Sequence, residues 1–264
     1  MQKHLIVSLI CIVVGLLSSC QSERNDHTAL HLKGKVKELR VRRYKAQEQA
    51  GKIQKMRLIS YTLDGPQMYE YDNLQPNCKV QFDEHQAISV LDVYDNTDKL
   101  HYTILHKDTI WELSMPNKKL MGKVRMDNRW RPHYMNTYMP SGELVHSTII
   151  TYEQEEGLSA VHKEYNAKKE LVGVTEYDYE DKLLKYVKKQ TKRTGQLYSD
   201  KPFRIEKIEY NDYEHPSKVI IDEGGIIKVI TIEYTLDAQD NWTQAIEYVN
   251  GKAKQFVERE LVYY

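Results

Sequence analysis

Between Ile150 and Val187 the chain reads ITYEQEEGLSAVHKEYNAKKELVGVTEYDYEDKLLKYV, and Tyr152, Tyr165 and Tyr177 each stand six residues before a leucine: Leu158, Leu171 and Leu183. Whether this stretch is helix or strand decides the fold. Leu158, Val161 and Tyr165 fit one helical face at i, i+3 and i+7. The segments between turn signals are only about eight residues long, however, and isolated helices shorter than roughly 12 to 15 residues are marginal. In Leu171-Val172-Gly173-Val174-Thr175-Glu176-Tyr177 the β-branched residues and the interior glycine favour a strand. Both segments are read as strands.

The same spacing occurs at Phe82 and Ile88, Tyr94 and Leu100, and Tyr138 and Leu144, with consecutive starts 12 to 14 residues apart. A period that short holds one strand and one turn, so each aromatic closes a strand and each aliphatic opens the next. Such a unit cannot bury its own apolar face and must stack with its neighbours. The spacing lapses between Tyr102 and Pro132 and again between Lys188 and Arg204, which directs the search for function to those places.

Turn signals recur at hairpin intervals: Asp64-Gly65, Asp72-Asn73, Asp95-Asn96, Pro116-Asn117, Ser141-Gly142, Thr194-Gly195, Gly224-Gly225 and Asn250-Gly251. Asn250-Gly251 supplies the two positive φ values of a type I′ turn and predicts a hairpin joining Gln244–Val249 to Lys252–Val257. Ile226 to Tyr234 is too rich in β-branched side chains to favour a helix. From Leu32 to Tyr44 a first strand is expected, with Leu39, Val41 and Arg43 on one face. The expected fold is all-β, an antiparallel meander of repeated hairpins forming an extended twisted or partly curled sheet.

Tyr94-Asp95-Asn96-Thr97-Asp98-Lys99-Leu100 and Tyr177-Asp178-Tyr179-Glu180-Asp181-Lys182-Leu183 resemble the unit of the YD-repeat (Rhs-type) family and of related exported Gram-negative lipoproteins. Tyr138-Met139-Pro140-Ser141-Gly142-Glu143-Leu144 keeps the glycine of that unit and loses the aspartate, and Tyr71-Asp72 keeps only its start. Asp240-Asn241-Trp242-Thr243, followed by Tyr248, is similar to a closing unit. The resemblance covers residues 60 to 264. It implies an elongated repeat sheet and a binding or scaffolding role, since relatives are described as carbohydrate-binding or as shells around other proteins.

The N-terminus carries an address. Lys3 followed by an apolar run from Leu5 to Leu17 reads as a secretion signal over residues 1 to 19. Leu17-Ser18-Ser19-Cys20 then resembles the lipobox of bacterial lipoproteins, in which the cysteine is acylated and becomes the new N-terminus. Palmitate-type chains on Cys20 would hold the protein on a bilayer, because each buried methylene contributes roughly 0.8 kcal/mol and more than one chain makes a stable anchor. The residues after Cys20 lack an adjacent aspartate, which resembles the pattern of lipoproteins sent to the outer membrane. Residues 20 to 31 read as the lipidated N-terminus and a linker, and residues 32 to 264 as a single β-repeat domain.

Composition narrows the function. The chain carries 38 basic and 38 acidic residues, a balance that argues against an electrostatic grip on nucleic acid. Of three cysteines, Cys11 leaves with the signal and Cys20 is the acyl acceptor, so only Cys78 remains and no disulfide framework is expected. Twenty tyrosines against three phenylalanines suit sheet positions with one apolar and one wet side.

No motif announces catalysis or a cofactor. His101 and His106 are five apart, on opposite faces of a strand, and His85, His133, His146 and His162 are scattered, so these read as solvated histidines and not as metal ligands. Carboxylates such as Asp92 and Asp95 are too frequent for any pair to single out a glycosidase dyad. Trp111 and Trp130 are candidates for stacking on sugar rings, with Arg129 and Arg131 beside Trp130 to hydrogen-bond hydroxyl or acidic groups. Trp242 is read as packing over the hairpin beside it. Asp108-Thr109-Ile110 and Asn241-Trp242-Thr243 match short glycosylation acceptors. The expected function is a membrane-anchored binding or scaffold module for a glycan or an envelope protein. The alternatives are an enzyme acting on envelope polysaccharide and a structural or immunity-like partner.

Overall fold

The computed structural model describes residues 30, 32–58, 77–129, 131–153, 159–180, 183–193, 196–199, 203–213 and 215–264. These residues form strands and turns with no helix. In chain order the strands are β1 (Val36–Gln49), β2 (Lys52–Leu58), β3 (Asn77–Phe82), β4 (Ile88–Tyr94), β5 (Leu100–Lys107), β6 (Ile110–Ser114), β7 (Leu120–Met126), β8 (Pro132–Tyr138) and β9 (Leu144–Tyr152). There follow β10 (Ala160–Asn166), β11 (Leu171–Glu180), β12 (Leu183–Arg193), β13 (Gln196–Ser199), β14 (Phe203–Tyr210), β15 (Pro216–Glu223), β16 (Ile227–Leu236), β17 (Trp242–Val249) and β18 (Lys252–Tyr263). The all-β antiparallel reading of the sequence is therefore correct, including the strands β10 and β11 of the ambiguous stretch.

The described residues gather into two compact units, one of 106–206 and 221–227, the other of 30–105, 207–220 and 228–264. In the first, β6 to β12 pair each with the next. In the second, β16, β17 and β18 pair in order, and β18 then pairs with β1. The first part of β1 also pairs with β3, so this strand lies between the chain's last strand and its third. Its second half is free to pair with β2.

One turn generates the period. From a residue i, the backbone N–H bonds the carbonyl of i+4 and the N–H of i+3 bonds the carbonyl of i, as at Asp83, Asp95, Met115, Met139, Asn166 and Asp237. Residue i+3 is left-handed in each: Gln86, Asp98, Lys118, Gly142, Lys169 and Asp240 have φ between 60° and 88°. Where i is Asp or Asn, its Oδ1 accepts the N–H groups of i+2 and i+4, as Asp95 does from Thr97 and Lys99. A bulge precedes each turn, for example between Val93 and Tyr94 and between Glu164 and Tyr165. The bulged residue closes one strand, or in β10 stands one residue before its end, and the residue six further on opens the next.

This corrects two expectations. The spacing does not lapse after Tyr102: Ser114 and Leu120, then Met126 and Pro132, keep it without an aromatic. Tyr177 does not close a strand, because β11 continues to Glu180 and Tyr177 is buried within it. Leu158 lies outside the described residues, as do Asp64-Gly65, Asp72-Asn73 and Thr194-Gly195. The lapse between Lys188 and Arg204 stands, since β12 pairs there with the short β13 as well as with β14.

Alternation along each strand separates core from solvent. In the second unit Val36, Leu39, Val41, Val80, Leu91, Val93, Ala245 and Val257 are at most 1% exposed. The other face of β1, β3 and β18 is an ion-pair ladder: Lys79 to Glu38 at 2.8 Å, Arg40 to Asp98 at 2.8 Å and Arg42 to Glu260 at 2.5 Å. Solvated pairs of this kind contribute about 0 to 1 kcal/mol each, so the apolar face carries the stability.

Candidate functional site

The Asn128 to Pro132 turn holds most of the residues expected to bind a ligand. Asp127 organises it: its Oδ1 accepts the N–H of Arg129 and of Arg131, both at 2.9 Å, and its Oδ2 accepts Arg131 Nε at 2.9 Å. The Arg131 guanidinium lies 4.0 Å from the centroid of the Tyr152 ring, and Tyr152 Oη donates to the Pro132 carbonyl at 2.9 Å. Burial pushes the Tyr152 phenol well above its usual range, so this hydroxyl stays a donor. Arg131 is thus a buried staple of the turn, and its charge and ring-stacking face are already engaged. Arg129 is half-buried, and Trp130 lies outside the described residues, as does Cys20. Trp111 is 1% exposed and packs edge-on against His106 at 5.6 Å, which leaves no ring face for a sugar.

The second unit repeats this construction with different chemistry. Asn211 Oδ1 accepts the N–H of Tyr213 and of His215, and Tyr234 Oη donates to the Pro216 carbonyl at 2.8 Å. The residue before the proline again lies on the tyrosine ring, here His215, with centroids 5.3 Å apart. The stack continues inward from Tyr234 to Trp242 at 5.8 Å and to the Arg259 guanidinium, 3.5 Å from the Trp242 centroid. Beside it lie two further buried charges, Arg43 at 1% and Glu247 at 5% exposure. Burial raises the Glu247 carboxyl and the Arg43 charge opposes that rise, so the two are electrostatically coupled.

The sequence places Arg43 on one face with Leu39 and Val41, and the structure shows that this face is the buried one. Sequence reasoning overlooked Arg259, Glu247 and His215. The signal was present in the alternation Val257, Arg259, Leu261 and in Ala245, Glu247, each of which carries a charge onto a core position. That the charges meet is set by strand register, with Val41 opposite Arg259 and Glu247 opposite Gln255. Trp242 is buried against its hairpin, as expected. The Asn241 amide is 1% exposed and bonds Lys33 and Tyr263, so it is no accessible glycan acceptor.

A third group lies on the buried face of the first unit. His162 is 2% exposed, against the expectation of a solvated ring, and burial holds its pKa down at about 3. Its ring meets that of Tyr177 at 4.5 Å, and buried Thr148, Glu164 and Thr175 occupy neighbouring positions. Gly173 leaves the space taken by the Glu164 carboxylate, whose Oε2 would lie 3.1 Å from a Cβ there. Among the described residues no three His, Cys, Asp or Glu side chains are placed to share a metal ion. Cys78 is buried and forms no disulfide among the described residues.

No family model matches the sequence, and no curated protein matches it. Among solved structures the chain is similar to a porin-like protein from Bacteroides uniformis ATCC 8492, with a TM-score of 0.48, 10% identity, and 86% of this chain and 96% of that chain covered. A porin-like protein from Bacteroides vulgatus ATCC 8482 gives 0.45 at 10% identity, over 87% of this chain and 98% of that chain. A structure of TcdB2-TccC3-TEV gives 0.20 at 9% identity, over 73% of this chain and 14% of that chain. At these scores the likenesses assign no function to the chain.

Proposed function

We propose that the protein is an extracytoplasmic lipoprotein, held on the outer membrane by acyl chains on Cys20, whose repeat sheet acts as a binding or scaffold module for an envelope glycan or protein. The observation that carries the reading is the sequence Leu17-Ser18-Ser19-Cys20 directly after an apolar run. The role is supported by where the chemistry-bearing groups stand: Arg131 is consumed in its turn, and Arg43, Glu247, Arg259 and His162 are committed to the interior. These groups serve the fold within their own units, Asp127 and Arg131 hold the turn that carries Arg129, and the ligand is taken at that turn by Arg129 together with Trp130, its neighbour in sequence.

Two measurements test this. Metabolic labelling with an alkyne-bearing palmitate marks the wild-type protein and not Cys20→Ala, with the wild type recovered in the outer-membrane fraction. An unlabelled wild type removes the anchor. Cross-linked pull-down and glycan-array binding with the purified protein then identify the ligand class, and Trp130→Ala or Arg129→Ala weakens that binding. Hydrolysis of an envelope polysaccharide with no retained ligand would replace the binding role with an enzymatic one.

A further inference from the structure

We infer that the end of the second unit at which the chain enters β1 is a bilayer-contacting collar, seated in the headgroup layer of the membrane that holds Cys20. This rests on the anchor reading above. Leu30 and Leu32 are buried, so the fold begins there, and the ten residue steps from Cys20 to Leu30 extend at most about 36 Å. The end bearing Leu32 is therefore the end nearest the anchor along the chain. The Asn250-Gly251 turn lies at the other end of β17, roughly 27 Å away along eight residues of strand.

Side-chain chemistry at that end fits an interface. Tyr210, Tyr213 and Tyr264 are 45%, 41% and 62% exposed, and they are the tyrosines that stand out as exposed among the described residues. Val262, 49% exposed, lies beside Tyr264. Lys33 Nζ lies 5.5 Å from the Tyr213 ring centroid and Lys37 Nζ 6.0 Å from that of Tyr264, while the Tyr264 N–H bonds the Lys35 carbonyl at 3.0 Å. Tyrosine rings rest at the headgroup level with the apolar ring body inward and the hydroxyl in water, and lysine stems extend alongside with their ammonium groups at the surface. Asp83, Glu84, Asp212, Asp237 and Asp240 share this end with Lys33, Lys35 and Lys37, and Asp240 pairs with Lys33 at 3.7 Å. The collar thus carries no excess of positive charge. Its contact comes from ring burial and needs neither anionic lipid nor low salt.

The test uses the acylated full chain in phosphatidylcholine vesicles, with tyrosine iodination mapped by mass spectrometry. The mature chain carrying Cys20→Ser supplies the rates in buffer. Tyr210, Tyr213 and Tyr264 should iodinate at least about threefold more slowly on vesicles, with Tyr44 and Tyr248 unchanged, and salt should make little difference. A variant with twenty Gly and Ser residues inserted after Asp26 should keep the protection. Loss of protection in that variant, or none with the native linker, overturns the collar. The mass of the Cys20 peptide in the same preparation reads the anchor separately. If Cys20 proves unmodified the anchor reading fails, and excess vesicles added to that chain still decide the collar by the same three rates.

Discussion

The Arg259 guanidinium lies 3.5 Å from the centroid of the Trp242 ring, on the buried face of the hairpin formed by β17 and β18. Both residues are at most 4% exposed, so this cation–π contact operates in a desolvated setting, where it is worth about 2 kcal/mol. Trp242→Ala should lower stability by about 3 to 5 kcal/mol in urea unfolding. A double-mutant cycle with Arg259→Met should return a coupling of about 1 to 2 kcal/mol. A coupling near zero would show that Trp242 matters through its volume alone.

Acid should weaken the fold through His162. Its folded pKa of about 3 lies below the ordinary 6.5, so the unfolded chain binds the proton first and stability falls as pH drops from 6.5 toward 3. The loss approaches about 1.4 kcal/mol per pH unit, or about 2 kcal/mol between pH 6.5 and 5. Urea midpoints of wild type and His162→Leu across that interval should diverge by this amount, the variant being the flatter of the two. Glu247, whose carboxyl burial raises, contributes the opposite trend above its ordinary value of 4.5 and cancels in the difference.

Asn241 joins the start of the fold to its last strand. Its Oδ1 accepts the Lys33 N–H at 2.7 Å, and its Nδ2 donates to the Lys33 carbonyl at 2.9 Å and to Tyr263 Oη at 2.8 Å. Tyr263 Oη in turn donates to Asp237 at 2.6 Å, and burial with that carboxylate pushes the phenol up to about 12. Asn241→Ala should cost about 3 kcal/mol, because it strands buried polar groups. Amide exchange should accelerate first at residues 33 to 36. Uniform acceleration across β17 and β18 would assign Asn241 to the general core.

The repeated turn can be graded by its left-handed position. Lys169 has φ of 62° and Gly142 has φ of 88°. An L side chain there costs about 1 to 2 kcal/mol relative to glycine, so Lys169→Gly should stabilise by about 1 kcal/mol and Gly142→Ala should destabilise by a similar amount. Thermal melts of the two variants moving in the same direction would contradict this assignment of the turn.

Local chemistry was legible without the structure. An Asp or Asn whose side chain accepts two N–H groups writes a turn into five residues, and the two-residue alternation assigns faces, so strands, hairpins and the shared face of Leu39, Val41 and Arg43 followed from residues close in sequence. The aromatic at the end of a strand proved only the common occupant of the bulge, which is why Ser114 and Met126 hid two units and Tyr177 suggested a false end. Alternation also carried Arg259 and Glu247 inward, but it is silent about which residue stands across a strand pair. The stack from His215 through Tyr234 and Trp242 to Arg259 draws on four strands or turns brought together by register, and Arg43 meets Glu247 only through the pairing of β1 with β18. Those are long-range choices. They depend on how buried faces match, a property of the assembled sheet that no single segment contains.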